Sequence, residues 1–182
     1  YGNLGKAGHT LTEQTLLVVS NTSPLTNLAA IGRFDLLQKV LGHLHVSRAV
    51  AAELTAGGRS WPGALEVSRS PWIEVHTVQN RYTVDALRLE LDAGEAETIA
   101  LALEMQADLV LMDEQDGRRA AEYLGLSVMG VVGLLVRATQ HKHVVEVRTL
   151  LDMLRQQAGF YLSDAVYLHA LELAGEYPVQ ED

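Results

Sequence analysis

The chain has 182 residues, is 48% hydrophobic and 20% charged, lacks cysteine and carries a formal net charge of −9. That length suits one domain with a real core, and the apolar share excludes a disordered chain. The absence of thiols excludes disulfides, thiolate metal sites and a cysteine nucleophile, and the acidity argues against a broad basic surface for nucleic acid.

Residues 1–15 are polar and glycine-containing, and read as an N-terminal extension ahead of a single domain over 16–182. No apolar run approaches the ~18 residues of a membrane helix, and no hydrophobic leader is visible, so the expected location is the cytoplasm with no membrane contact.

Leu16–Ser20 is a short apolar run with β-branched residues, the pattern of a buried parallel strand. It stops at Asn21-Thr22-Ser23-Pro24, where Ser23 is positioned to cap a helix running from Pro24 towards Ile31. A second helix over Phe34–Leu41 closes at Gly42, Leu44–Val46 reads as a strand, and Ser47 caps a third helix through Glu53 and Leu54. Gly57 to Gly63 is the strongest loop signal. A short helix at Ala64–Arg69 and a strand at Trp72–His76 follow.

From Thr83 to Gln106 the pattern is helical, with one break expected at Gly94. Asp108–Met112 is a strand ended by the polar cluster Asp113–Gly117, Arg118–Leu124 is helical, and Leu126–Met129 is a further strand. Helices over Val131–Gln140, Val144–Gln157 and Asp164–Gly175 complete the chain. Strands alternating with helices imply a mostly parallel sheet covered on both faces, with ligands at the carboxyl ends of the strands. Asn21 and Asp113 each directly follow a strand and therefore belong at that edge.

Asp113 and Asp116 are spaced to share one side of a helical turn, although either alone is also an ordinary helix-start acid. Glu95 heads a helix of small apolar residues, where a buried carboxylate needs either a cation or the positive helix end. Glu53 is a lone acid in a similar small apolar helix, where an exposed position is the ordinary reading. Glu97 points elsewhere, as a surface or supporting acid. The seven histidines are scattered, only His141-Lys142-His143 is clustered, and that stretch reads as a polar loop. No phosphate-binding glycine loop or nucleophile elbow is present. Arg118 and Arg119 read as a solvated face that a phosphate could also meet.

Taken in order, Val18–Leu25, Ala49–Leu54, Leu91–Glu97 with Ile99–Ala102, Leu109–Asp116 and the tail Ala158–Asp164 resemble the PIN-like domain family, most closely a prokaryotic branch of it. The resemblance runs from about Leu17 to about Gly175. It implies a three-layer α/β/α fold with a mostly parallel central sheet, extra C-terminal helices and an acidic pocket holding Mg²⁺ or Mn²⁺. It also implies a metal-dependent ribonuclease, and its relatives include the VapC-like toxins of toxin–antitoxin pairs. The implied partners are an RNA substrate and an antitoxin protein.

Carried over by motif, Asn21, Glu53, Glu95 and Asp113 are the metal ligands, Asp116 completes the catalytic set, and Thr22 and Ser23 support it. Asn21 departs from the pattern, since most catalytic relatives have aspartate there. An amide oxygen can ligate a hard cation but brings no charge. The rival reading is a catalytically silent PIN-like module that binds RNA or a protein partner. The C-terminal helices, with Leu150, Leu151 and Leu154, either form a homodimer face or complete the core.

Overall fold

The computed structural model describes residues 16–56 and 61–176. Five short strands, β1 (Val18–Ser20), β2 (Leu44–Ser47), β3 (Ile73–His76), β4 (Leu109–Leu111) and β5 (Val128–Met129), pair in parallel in the order β3-β2-β1-β4-β5. Parallel strands need crossovers, and the helices supply them. The first part of the chain winds outward from β1 through α1 (Thr22–Ala30), α2 (Asp35–Leu41), α3 (Arg48–Thr55) and α4 (Ala64–Arg69). It then returns through α5 (Arg81–Leu87) and α6 (Ala93–Met105) to β4 on the other side of β1, and α7 (Gln115–Tyr123) leads to β5. The strand order therefore reverses between β1 and β4, which opens a crevice at their carboxyl ends. Three further helices, α8 (Val131–Gln140), α9 (Val147–Gln156) and α10 (Asp164–Leu173), follow β5.

Strand alternation divides the core into two layers. Val18, Leu44, Val46, Leu109 and Leu111 face one side with Leu25 and Leu28 of α1, Leu36 and Leu37 of α2, and the apolar faces of α8, α9 and α10. Val19, Val110 and Met112 face the other side with Ile99 and Ala100 of α6, Val84 of α5 and Ala121 of α7. The fold is thus three-layered α/β/α, as the sequence pattern and the resemblance imply. Leu150, Leu151 and Leu154 are buried in the first layer, so they complete the core and offer no dimer face.

Several boundaries differ from those expected, each for a local reason. The first helix begins at Thr22 with Asn21 in the N-cap position, because the Ser23 hydroxyl is committed to a carboxylate on another element. The break inside Thr83–Gln106 falls before Asp92, which caps α6 through a reciprocal bond with Glu95, and Gly94 lies within the helix. The helix expected from Arg118 starts at Gln115, so the polar cluster is partly its first turn, and the one expected from Val144 starts at Val147. His141 to His143 is a turn, as expected. The N-terminal extension and most of the glycine loop lie outside the described residues.

Candidate functional site

The crevice between β1 and β4 is built around Asn21. Its backbone N–H extends the sheet by donating to the Leu111 carbonyl at 2.9 Å, which fixes it at the strand end. Asn21 is 3% exposed. Its amide nitrogen donates to Glu114 Oε2 at 3.2 Å, and its amide oxygen accepts from the Thr98 hydroxyl at 3.5 Å. Ser23, two residues further on, donates its hydroxyl to the other oxygen of Glu114. Glu114 was not among the residues singled out from the sequence. Its pattern offered only an acid next to the more obvious Asp113.

Glu53 enters from α3. That helix touches both α1 and α6 at the end of the sheet, so its inner face turns towards the crevice. Thr22 donates its hydroxyl to the Glu53 carboxylate, as does the backbone N–H of Gly94. A Cβ at Gly94 would overlap that carboxylate, so glycine here is a matter of room. Burial raises the pKa of Glu53 above the usual carboxylate value, and the charges of Asp92 and Glu114 raise it further against the two donors.

Glu95 is buried at the head of α6, where its carboxylate accepts from the Asp92 N–H at 3.0 Å. Of the two partners expected for a buried acid at that position, the structure shows the helix end, which holds one oxygen. Glu95 also lies over Gly117 of α7, where a Cβ would come within 3.1 Å of its Oε1. Its pKa is raised first by burial, then by the charges of Asp92, Glu114 and Asp116. Asp116 itself is exposed on α7 and paired with Arg119, so it stands at the rim.

Asp113 goes elsewhere. Adjacent residues leaving a strand point to opposite sides, and Asp113 turns away from Asn21 towards the start of α8. It accepts from the Val131 N–H at 2.8 Å and from the Asn27 amide at 3.4 Å. Arg118 is held beside it by a bond to the Met112 carbonyl at 3.0 Å, which removes Arg118 from the solvated face expected of it. Burial pushes the Asp113 carboxyl up to about 6. The structure thus sets Glu53, Glu95 and Glu114 around the strand end at Asn21, with Thr22 and Ser23 in support and Asp113 behind them, but the three carboxylates do not converge to within the reach of one ion. Glu97 is a tie within the fold, accepting from the Ala49 N–H at 3.0 Å and from Arg81 at 2.7 Å.

The donor set suits a hard divalent cation. It consists of oxygens alone, and among the described residues no basic side chain is paired with Glu53, Glu95 or Glu114. Glu53 and Glu95, whose pKa values are raised by burial and by neighbouring acids, would be relieved when a dication enters, whereas an amide at Asn21 contributes an oxygen without charge.

A parallel five-stranded sheet between two helical layers, with acids gathered where the strand order reverses, defines an α/β/α protein with an acidic strand-end pocket. A PIN domain family matches residues 17–176, and the chain belongs to that family. Its fold is accordingly of the nuclease type. A search of the curated proteins returns no match. Among the described residues, no helix is long and apolar enough to cross a membrane.

Proposed function

We propose that the protein is a Mg²⁺- or Mn²⁺-dependent ribonuclease in which Glu53, Glu95 and Glu114 hold the cation and Asn21 supplies a neutral oxygen or positions Glu114. The observation that carries this reading is that Glu53, Glu95 and Glu114 surround the strand end at Asn21 without a basic partner, near enough for the charge of Glu114 to act on the other two. Their carboxylates are not within one ion's reach of each other, so they would draw together to hold it. Asp116 at the rim and Asp113 behind the pocket take supporting parts.

When bound, the cation would polarise a phosphodiester oxygen and screen the acids from the incoming polyanion. The remaining work falls to the chain. Thr22 and Ser23 lock the carboxylates of Glu53 and Glu114 in place, so that little reorganisation is needed on binding. Gly94 and Gly117 leave the pocket room beside Glu53 and Glu95.

A second reading is favoured by one contact. The Asn21 amide donates to Glu114 and so ties part of the acid cluster together without any cation. This suits a catalytically silent module that binds RNA or a protein partner. Under the ribonuclease reading, resemblance to the VapC-like toxins extends the proposal to the toxin half of a toxin–antitoxin pair. A small antitoxin protein would then be its partner in the cytoplasm.

The deciding experiment is cleavage of a mixed RNA pool with Mn²⁺, with Mg²⁺ and with chelator, for the parent protein and for Glu53→Gln. Metal-dependent cleavage lost in the variant supports the ribonuclease. RNA retained on the protein but left intact under every condition supports the silent module.

A further inference from the structure

A second group of metal-ligating side chains lies away from the acidic crevice. Among the described residues, strand β3 is an edge of the sheet and pairs only with β2, in a register that sets His45 opposite Glu74 and Ser47 opposite His76. Side chains two apart on a strand share a face, so Glu74 and His76 point to the same side as His45. This is the α6 side, since His45 is also in register with Val19. His45 Nδ1 and His76 Nε2 are 2.9 Å apart, and Glu74 Oε2 lies 3.9 and 3.6 Å from them. His45 is mostly buried, while His76 and Glu74 reach solvent, which leaves a way in for an ion.

We propose that His45, Glu74 and His76 form a binding site for a borderline divalent metal ion of the zinc class, distinct from the all-oxygen pocket. The triangle is close to what such an ion requires. With metal–nitrogen bonds of about 2.0–2.1 Å and a tetrahedral angle, neighbouring ligand atoms sit about 3.3 Å apart. The observed edges straddle that value, so the two imidazoles would open slightly and the carboxylate close in.

The chemistry of the donors selects the ion. Imidazole suits Zn²⁺, Co²⁺ and Ni²⁺, whereas Mg²⁺ prefers oxygen and water. Three ligands leave a coordination position open to water. The ion would fasten the edge strand β3 to β2, and with it the segment that follows at Thr77, whose hydroxyl accepts from Arg48 at 2.7 Å.

The test uses the full chain, stripped with chelator and then held in excess Mg²⁺ so that the acidic pocket is not the competitor. Titration with Zn²⁺ alone should show one tight equivalent and a rise in Tm, and Co²⁺ should give the visible absorption of a four-coordinate nitrogen–oxygen site. His76→Gln and His45→Gln should each weaken Zn²⁺ binding by more than about tenfold. Glu53→Gln should leave it unchanged. Because His76 is partly exposed, its variant should fold, and circular dichroism of both variants checks this. Glu74→Gln, on an exposed side chain, is a third variant should either histidine change fail to fold. No Zn²⁺ binding in excess Mg²⁺, or Zn²⁺ binding lost in Glu53→Gln but kept in the histidine variants, overturns the site. Neither outcome bears on RNA cleavage with Mn²⁺, so the ribonuclease reading stands or falls separately.

Discussion

Two consecutive carboxylates leave β4, and they enter opposite environments. Glu114 faces the crevice, where Asn21 and Ser23 hold it among other acids. Asp113 faces α8, where the Val131 N–H and the Asn27 amide hold it with Arg118 nearby. Burial raises the pKa of Asp113, and of Glu53 and Glu95 in the crevice, so the raised value alone does not separate the two sides. Their neighbours do. Asp113 has donors for both oxygens and acts as an anchor for the start of α8. Glu114 also has donors for both oxygens, but it shares the crevice with Glu53 and Glu95 and no basic side chain, and that residual repulsion is what a dication would remove.

The largest expected difference between the two sides is in catalysis. Under the ribonuclease reading, Glu114→Gln or Glu53→Gln should reduce Mn²⁺-dependent RNA cleavage by two or more orders of magnitude, about 3 kcal/mol or more of transition-state stabilisation. Asp113→Asn should fall far less. Equal losses at Glu114 and Asp113, measured as initial rates on one RNA, would show that the division drawn between them has no chemical meaning.

The next difference is in the pH dependence of stability, and here Asp113 dominates. Its folded-state pKa of about 6 lies above that of an unfolded aspartate, so the native state holds the proton more tightly. The stability this confers is fully present below about pH 4 and is lost as pH rises through 6. The loss across that window is about 3 kcal/mol at most. Asp113→Asn cannot titrate, so its stability relative to the parent should improve by up to that amount between pH 3.5 and pH 7.5. Glu53 and Glu95 titrate in both proteins and cancel. Urea unfolding of the pair across that range gives the slope, whatever constant offset the amide introduces beside Asn27. A difference that does not change with pH would place the raised pKa in doubt.

A smaller effect is expected at Gly94. A methyl group there would press on the Glu53 carboxylate and displace it from Thr22. Gly94→Ala, which on helix propensity alone should stabilise by up to about 1 kcal/mol, should instead be destabilising or neutral and should weaken the response to Mn²⁺. Stabilisation with an unchanged Mn²⁺ response would mean that Glu53 can sit elsewhere at no cost.

How much of this was legible in the sequence differs between fold and site. Apolar runs such as Leu16–Ser20 and Asp108–Met112 identify central strands because a parallel strand is buried on both faces. They also locate Asn21 at the crevice. That Asp113 and Glu114 turn to different sides was not legible, because it depends on which of two adjacent side chains turns inward as the strand ends. The break before Asp92 was misread as a break at Gly94, since glycine is an ordinary helix stop and its role here, room for Glu53, comes from a different helix. His45 and His76 looked scattered because only the β2–β3 register joins residues 31 apart in sequence.

The finest test of the crevice is Asn21 itself. In the metal-free protein its amide donates to Glu114, and Asn21→Asp replaces that donor with an acceptor carrying a like charge. One hydrogen bond lost and one repulsion gained, in a pocket already crowded with acids, should destabilise the variant by about 1–2 kcal/mol above the carboxylate range of pH. At low pH, where the new aspartate and Glu114 can share a proton, the difference should shrink. Adding Mn²⁺ should reverse the effect of the added charge on stability, because a ligand that binds only the folded state stabilises it more the tighter it binds. Thermal unfolding with and without Mn²⁺ should therefore show the variant starting below the parent and gaining more. If the parent gains as much, the amide oxygen is already a sufficient ligand, and the substitution should leave RNA cleavage unchanged. If neither gains and neither cleaves, the crevice does not hold a cation in this protein, and the bond from Asn21 to Glu114 is how the silent module keeps its acids together.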